Sequence, residues 1–145
     1  IDWGTILLFG SGIALGDLAF STRLADALGN FVVQVTGLSS SSGLTLISAF
    51  LGIFVSETTS NTSAANMVVP ASIAVAQNAG INPVPPAVAA CLGASYGFML
   101  PVSTPPNAMV YGTGMVPITR MAKTGFLFDI VGLMVIWIGL RLLLG

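Results

Sequence analysis

The 145-residue chain contains no histidine, one cysteine, and only four basic and five acidic side chains. Without histidine it lacks a common zinc ligand and the base of a Ser-His or Cys-His catalytic pair. A single cysteine excludes a disulfide within the chain. It also has no paired aspartates and no Gly-rich phosphate loop, and these absences together argue against a membrane enzyme.

Charge is scarce along the whole chain and absent from residues 58–119. Hydrophobic residues make up 54% of the sequence and charged residues 6%, against about 25% charged residues in a soluble domain. So few charges could not cover the surface of a soluble fold of this length. The composition therefore predicts an all-α integral membrane protein in contact with lipid.

The chain begins with Ile1 inside an apolar run and shows no signal peptide. We interpret it as a piece of a longer, multi-pass protein of the plasma membrane. Its length corresponds to about one half of an inverted-repeat transporter, so one inverted repeat is expected here.

Two polar segments interrupt the uncharged region. The first covers residues 56–63 (Ser-Glu-Thr-Thr-Ser-Asn-Thr-Ser) and the second residues 101–107 (Pro-Val-Ser-Thr-Pro-Pro-Asn). Within a membrane, backbone breaks and hydroxyl groups are costly unless they line a binding cavity. Two such interruptions indicate a transporter site near the bilayer midplane.

Hydrophobic periodicity predicts three structural units before residue 80. Residues 1–21 predict a Gly-rich transmembrane helix, and residues 22–40 an amphipathic helix in the membrane interface followed by a loop. Residues 43–79 contain two apolar arms, 43–55 and 64–79, on either side of the first polar segment. Because both are short for a hydrocarbon core about 30 Å thick, we expect a re-entrant helical hairpin, with one long kinked helix as the alternative.

Residues 84–115 predict a discontinuous transmembrane helix. Proline lacks an N–H and disfavours helical geometry in the residue before it, so Thr104 and Pro105 are both expected to be extended. The preceding half-helix should end near residues 100–103 and the next should begin near Asn107.

The last unit, residues 124–144, predicts an uninterrupted spanning helix. Arg120 and Lys123 are expected in the loop before it, which the positive-inside rule places in the cytoplasm. The mouth of the hairpin and the end of the last helix would then face outward. Asp129 and Arg141 are interpreted as charges at helix ends.

The first polar segment has the residue types that start a helix. Ser60, Asn61 and Thr62 suit the N-terminus of the second arm, where free N–H groups and the helix dipole attract an anion. The unwound carbonyls of the broken helix instead suit a small hard cation. Side-chain oxygens of the type that such a cation prefers are those of Ser56, Thr59, Asn61 and Ser103.

The few cationic residues all lie away from the two polar segments. A buried organic dianion would therefore have no protein counter-charge, which is very costly in a dry environment. Bound Na⁺ is the predicted counter-charge and coupling ion. A sodium-independent exchanger, the alternative, would be expected to place Lys, Arg or His near these segments.

Glu57 is the one acidic residue in a polar segment. A carboxylate beside an anion site would repel the substrate, so we interpret Glu57 as an acceptor for backbone donors or as a residue that tunes the cation site. For Asn66 and Asn107 two interpretations stay open: they satisfy the broken backbone, or they line the site.

The two polar segments together resemble the divalent anion/sodium symporter (DASS) family, the sodium–dicarboxylate and sodium–sulfate carriers. The resemblance rests on Ser60-Asn61-Thr62 and on residues 103–108, Ser-Thr-Pro-Pro-Asn-Ala, and covers the chain as a C-terminal repeat. It implies that Asn61 and Thr62 contact a substrate carboxylate and that Thr104 and Pro105 line the same pocket. It also implies sodium ligands at Ser56, Thr59, Asn61 and Ser103.

The resemblance further implies a homodimeric elevator, in which residues 41–145 form a moving transport domain beside the scaffold helix of residues 1–21. The expected partners are a small divalent organic anion, the N-terminal repeat of the same protein and membrane lipid, with no nucleic acid. C4 dicarboxylates such as succinate are the leading substrates, with sulfate and citrate as alternatives. A structural membrane segment without transport is the remote alternative.

Overall fold

The structure is a computed structural model that describes residues 40–144 and positions 10, 14, 18 and 21–23. The helices predicted over residues 1–21 and 22–40 lie outside the described residues apart from those positions. Within residues 40–144 every regular element is helical, in agreement with the all-α prediction. The helices are α1 (Ser41–Thr58), α2 (Asn61–Asn78), α3 (Val84–Gly93), α4 (Pro105–Gly112) and α5 (Ile118–Leu144).

Helices α1 and α2 form a hairpin whose tip is Thr59 and Ser60. Thr59 has an extended backbone (φ −133°, ψ −177°), and the two helices pack against each other. A single kinked helix through this region is therefore excluded. Ser60 is the N-cap of α2, and its side chain accepts a hydrogen bond from the Ser63 N–H at 3.2 Å, as the sequence predicted.

Both arms of the hairpin are longer than predicted. Each has 18 residues, or about 27 Å of helix, because helical geometry continues into the polar residues next to the tip. Thr58 and Thr59 both donate their hydroxyl protons to the Val55 carbonyl, so these side chains satisfy the helix end. By length and composition α1 could cross a membrane, as could α5.

Helices α1 and α3 cross at very close range. A Cβ at Gly52 would lie 2.9 Å from the Ala94 backbone nitrogen, and a Cβ at Gly93 would overlap the Ala49 carbonyl. Small residues on both helices thus permit backbone-to-backbone contact, the usual packing device of helices in lipid. This contact places the end of α1 beside the end of α3.

The break after α3 is longer and earlier than predicted. The half-helix ends at Gly93 rather than near residues 100–103, and residues 94–104, here called the unwound segment, connect it to α4. Thr104 is extended (φ −142°, ψ 151°), as predicted, and caps α4. Pro105, predicted to be extended, instead begins α4, because a proline at the first helical position loses no hydrogen bond.

Helix α5 begins at Ile118, six residues before its predicted start, so Arg120 and Lys123 belong to the helix rather than to a loop. The Pro117 carbonyl accepts hydrogen bonds from the N–H groups of Arg120 and Met121, which closes the first turn. Both charged side chains are exposed. Their assignment to the cytoplasmic side stays a prediction.

One stripe of α5 is buried against the rest of the fold. A Cβ at Gly125 would overlap the backbone of Met99, and a Cβ at Gly132 would overlap the ring of Tyr96. Asp129 lies between these glycines and is 6% exposed, so its interpretation as an end-of-helix charge was wrong. The stripe consists of Met121, Gly125, Asp129, Gly132, Ile136 and Leu140.

The far end of α5 lies beside the mouth of the hairpin. The indole N–H of Trp137 donates to the Ser42 carbonyl at 3.0 Å, and Arg141 stands in the last turn of α5, as expected. The start of α1, the start of α3 and the end of α5 therefore meet at one end of the described body.

Candidate functional site

Glu57, near the end of α1, binds the backbone of the unwound segment. Its carboxylate accepts hydrogen bonds from three consecutive backbone N–H groups, those of Phe98, Met99 and Leu100, at 2.7 to 3.1 Å. These N–H groups consequently have no need of helical carbonyl partners, and residues 98–100 are stabilised outside a helix. The interpretation of Glu57 as an acceptor for backbone donors is confirmed.

Ser56 connects the hairpin to the end of α3. Its Oγ lies 2.7 Å from Asn61 Oδ1 and 2.8 Å from the Ala94 carbonyl oxygen, and the Ser56 side chain is fully buried. Asn61 Nδ2 lies 3.5 Å from the Ser95 carbonyl. Two side-chain oxygens and two carbonyls that follow α3 thus gather in one place. We call this group the oxygen cluster: Ser56 Oγ, Asn61 Oδ1, Ala94 O and Ser95 O.

Gly97 lies between the oxygen cluster and Ser103. A Cβ on Gly97 would lie 3.2 Å from both the Ser56 Oγ and the Ser103 Oγ. The Ser103 Oγ itself lies 3.0 Å from the Glu57 carbonyl and 3.0 Å from Glu57 Oε2. The structure thus places two of the four predicted cation ligands, Ser56 and Ser103, on either side of one glycine, and Asn61 joins them through its contact with Ser56.

Thr59 is the predicted cation ligand that the structure does not bring into this group. Its hydroxyl donates to the Val55 carbonyl at 2.9 Å, one turn back along its own helix. The described contacts therefore give Thr59 a part in ending α1 and none in the oxygen cluster.

The predicted anion-binding residues form two sets on the described residues. Ser60, Asn61 and Thr62 lie at the start of α2, where Ser60 and Thr62 are exposed. Thr104 and Pro105 lie at the start of α4; Thr104 accepts a long hydrogen bond (3.4 Å) from the Asn107 N–H. Each set presents a helix N-terminus, but no described side-chain hydrogen bond joins the two sets.

Asn107 binds α4 to the unwound segment. Its amide nitrogen donates to the Gly97 carbonyl at 2.8 Å and to the Leu100 carbonyl at 3.1 Å. Asn66 donates to the Thr62 carbonyl one turn earlier in α2. Of the two interpretations left open for these residues, the structure therefore favours bonding to the backbone for both.

Sequence reasoning missed the carbonyls of Ala94 and Ser95, because it placed the end of α3 several residues too late. It also missed that Glu57 and Asp129, on the buried stripe of α5, line the same cavity. A signal was present, since Asp129 stands between Gly125 and Gly132 at spacings of four and three residues, which places all three on one helical face.

The arrangement offers complementary poles for small ions. The oxygen cluster supplies neutral oxygen ligands at a helix C-terminal end, which suit a hard monovalent cation. The starts of α2 and α4 supply N–H groups and hydroxyls that suit carboxylate oxygens. Asn61 belongs to both, since its amide has an acceptor oxygen and a donor nitrogen.

Comparison with known proteins finds similar sequences over nearly the whole chain. The family model described as the sodium:sulfate symporter transmembrane region matches residues 1–143. An uncharacterized transporter of Haemophilus influenzae is 42% identical over 139 residues, which cover 93% of this chain and 29% of that protein.

Two relatives carry the name sodium-dependent dicarboxylate transporter SdcS. That of Staphylococcus saprophyticus is 38% identical and that of Staphylococcus aureus 34% identical, and each match covers 94% of this chain. The chain spans only 26% of the length of either relative.

Proposed function

Because the chain belongs to the sodium:sulfate symporter family and is thus part of an integral membrane protein, we propose that it is the C-terminal part of a secondary active transporter. The complete protein would couple Na⁺ to the uptake of a divalent organic anion across the plasma membrane. Relatives that are named sodium-dependent dicarboxylate transporters support a C4 dicarboxylate such as succinate as the substrate.

The observation that carries this proposal is the meeting of the hairpin tip with the unwound segment. Ser56 and Asn61 come from the hairpin, whereas the Ala94 and Ser95 carbonyls follow α3, and no cationic side chain takes part in the hydrogen bonds among them. Neutral oxygens from two interrupted helices suit Na⁺. In this proposal Ser103 completes the Na⁺ ligands, and Thr59 is the weakest candidate.

The anion would bind against the two helix N-termini. Asn61 and Thr62, with Ser60 as the cap of α2, would contact one carboxylate, while Thr104 and Pro105 would line the pocket at the start of α4. Bound Na⁺ would supply the positive charge that the described residues around the tip lack. Na⁺ and anion would then favour each other's binding by direct attraction.

The membrane arrangement is part of the proposal. The hairpin would be re-entrant, because Glu57 near its tip lies beside Asp129, well inside the 27-residue α5, rather than beside either end of that helix. Residues 41–145 would form a transport domain that moves as an elevator against a scaffold in a homodimer. The N-terminal repeat would complete the anion site.

The test is sodium-dependent uptake by the complete protein in liposomes. Uptake of radiolabelled succinate should require a Na⁺ gradient and should fail with K⁺ or choline, and Na⁺ alone should raise the melting temperature. Equal behaviour in all three cations would contradict the proposal.

Replacing Asn61 with alanine should abolish sodium-driven uptake, because it removes ligands for both ions, while the protein still inserts. The matched control is Asn78→Ala, at the exposed end of the same helix, which should retain uptake. Normal uptake by Asn61→Ala would remove Asn61 from the site.

Sulfate is the second candidate substrate, because the description of the matching family names sodium:sulfate symporters. A competition panel of succinate, citrate and sulfate distinguishes the candidates. The true substrate should suppress the uptake of labelled succinate at the lowest concentration. If labelled succinate is not taken up at all, the true substrate should itself be taken up in labelled form. A dianion that is exchanged without any dependence on Na⁺ would instead support the exchanger.

A further inference from the structure

Helix α4 has little packing to hold it in place. None of its residues is buried, and it makes no extensive contact with another described helix. Among the described residues, the side-chain hydrogen bonds from α4 to the unwound segment all come from Asn107. The position of α4 against that segment therefore depends on Asn107 and on the chain that joins them.

The amide group of Asn107 has a fixed orientation. Its nitrogen donates to the Gly97 carbonyl at 2.8 Å and to the Leu100 carbonyl at 3.1 Å, and an amide nitrogen has two protons to donate. Both protons are thus used. If the amide turned over, its oxygen would face two carbonyl oxygens with no proton between them.

Residues 97–100 are bound through both kinds of backbone group. The N–H groups of residues 98–100 donate to Glu57 of α1, whereas the carbonyls of Gly97 and Leu100 accept from Asn107 of α4. Leu100 is bound on both sides, with its N–H to one partner and its carbonyl to the other. Any displacement of α4 therefore acts on this part of the unwound segment.

Each end of this link adjoins one of the two proposed ion sites. Gly97 lies between the hydroxyls of Ser56 and Ser103, since a Cβ on it would be 3.2 Å from both Oγ atoms. At the other end, the Asn107 N–H donates to Thr104 Oγ1 at the start of α4, where the anion would bind. One asparagine thus binds backbone beside the proposed cation ligands and a side chain of the proposed anion pocket.

We propose that Asn107 is a positioning residue that couples the two ion sites, an inference that rests on the proposed function. Through Gly97 and Leu100 it fixes the start of α4 relative to the cation ligands, so that bound Na⁺ favours the arrangement of α4 that binds the anion. By linkage, the bound anion favours Na⁺ to the same degree. This coupling adds to the direct attraction between the two ions.

Asn107 differs in this respect from Asn61. Both amide protons of Asn107 are bound to protein carbonyls, so neither remains for a substrate carboxylate. Its effect passes through the backbone that it binds. Loss of Asn61 should remove ligands, whereas loss of Asn107 should leave each site able to bind and weaken the dependence of one on the other.

The test measures the affinity of the complete purified protein for labelled succinate, or for sulfate where the competition panel selects it, at low and at saturating Na⁺. The ratio of the two affinities is the coupling factor, which should be about 5–150 in the wild type. Asn107→Ala should lower it about threefold or more, because alanine suits the helix but binds neither carbonyl. A merely structural loss would lower the melting temperature and leave the ratio unchanged, and an unchanged ratio would overturn the proposal.

Asn82→Ala is the matched control. Asn82 also bonds to backbone through its side chain, accepting from the Val84 N–H at 3.1 Å, but it does so before the start of α3. Its loss should keep the wild-type coupling factor even if the melting temperature falls. A fall in the factor as large as that of Asn107→Ala would show a general effect of destabilisation and would contradict the specific role of Asn107.

A second variant covers the case in which Asn107→Ala does not fold. In Asn107→Ser the hydroxyl has one proton and can serve only one of the two carbonyls, so the coupling factor should again lie below that of the wild type. A wild-type factor in this variant would equally overturn the proposal.

Hydrogen exchange of the wild type tests the link without a substitution. The amides of residues 109–112 belong to α4 but to neither proposed site, and they should exchange more slowly in Na⁺ alone than in K⁺. Equal exchange in the two cations would contradict the link.

The results separate this inference from the proposed function. If Na⁺ leaves the affinity of the wild type for both dianions unchanged, the proposed function and the coupling fail together. If the wild type depends on Na⁺ and its coupling factor survives Asn107→Ala, the coupling role of Asn107 alone is overturned.

Discussion

At the scale of single residues, the Glu57 carboxylate connects α1 to the middle of a broken helix. The acceptor lies more than forty positions before its donors in the sequence, at separations of 41 to 43 residues. Each hydrogen bond to a charged group contributes about 1.5–3 kcal/mol to stability. One side chain thus has a large effect on the shape of the proposed ion-binding region.

Replacing Glu57 with glutamine should destabilise the protein strongly. The amide oxygen can accept two N–H groups, as Oε1 does now, but the N–H₂ group would face the Leu100 N–H and leave that donor unpaired. We expect the free energy of unfolding in detergent, measured by chemical denaturation, to fall by about 1–3 kcal/mol.

Thr58→Ala is the matched control for this change. Thr58 is the next residue, is exposed, and bonds only to a carbonyl of its own helix, so its loss should have little effect. A Glu57→Gln protein that unfolds at the same denaturant concentration as Thr58→Ala would show that the carboxylate does not hold the break.

At the scale of elements, α5 packs closely against the unwound segment. Its glycines admit the backbone of residues 98–99 and the ring of Tyr96, and Asp129 stands between them. The same helix meets the start of α1 through Trp137. A single long helix therefore fixes both the break and the hairpin mouth.

Replacing Gly132 with alanine should weaken this contact, because the added Cβ would overlap the Tyr96 ring. Overpacking of this kind costs about 1–3 kcal/mol. The control is Gly139→Ala in the same helix, where nothing described lies within 4 Å of the added Cβ. Alanine should there be neutral or stabilising, by its helix propensity of about 1 kcal/mol over glycine. Equal melting temperatures for the two variants would contradict this account of the packing.

At the scale of the whole molecule, several ends of the described helices lie together at the mouth of the hairpin. The mouth of the hairpin and the end of α5 lie together, whereas the tip lies beside the middle of α5. If α5 crosses the membrane, the tip ends inside it. The predicted orientation then places the mouth outside and Lys123 in the cytoplasm.

Single cysteines in a complete protein whose other cysteines have been replaced should report this arrangement. Asn82→Cys, in the exposed turn that follows α2, should react with an impermeant maleimide added to intact cells. Lys123→Cys should react only in inverted vesicles. Thr58→Cys near the tip decides re-entrance: if it reacts as freely from the cytoplasmic side as Lys123→Cys does, both arms span the membrane and the hairpin is not re-entrant.

The sequence predicted those parts of the fold that depend on neighbouring residues. The cap at Ser60, the extended Thr104 and the break near Pro105 all follow from the chemistry of adjacent positions. The full length of the break could not be predicted, because residues 98–100 are bound by Glu57, which is distant in sequence. The carbonyls of Ala94 and Ser95 were missed for the same reason, because they are exposed only where α3 ends.

The early end of α3 has a consequence for recognition. Three successive amides of the gap are already committed to Glu57, and each has only one proton to donate. A helix could close over the gap only if that side chain released them. The unwound segment is therefore preorganised: a solute that bound there would not spend binding energy on unwinding a helix, and this saving would appear as affinity.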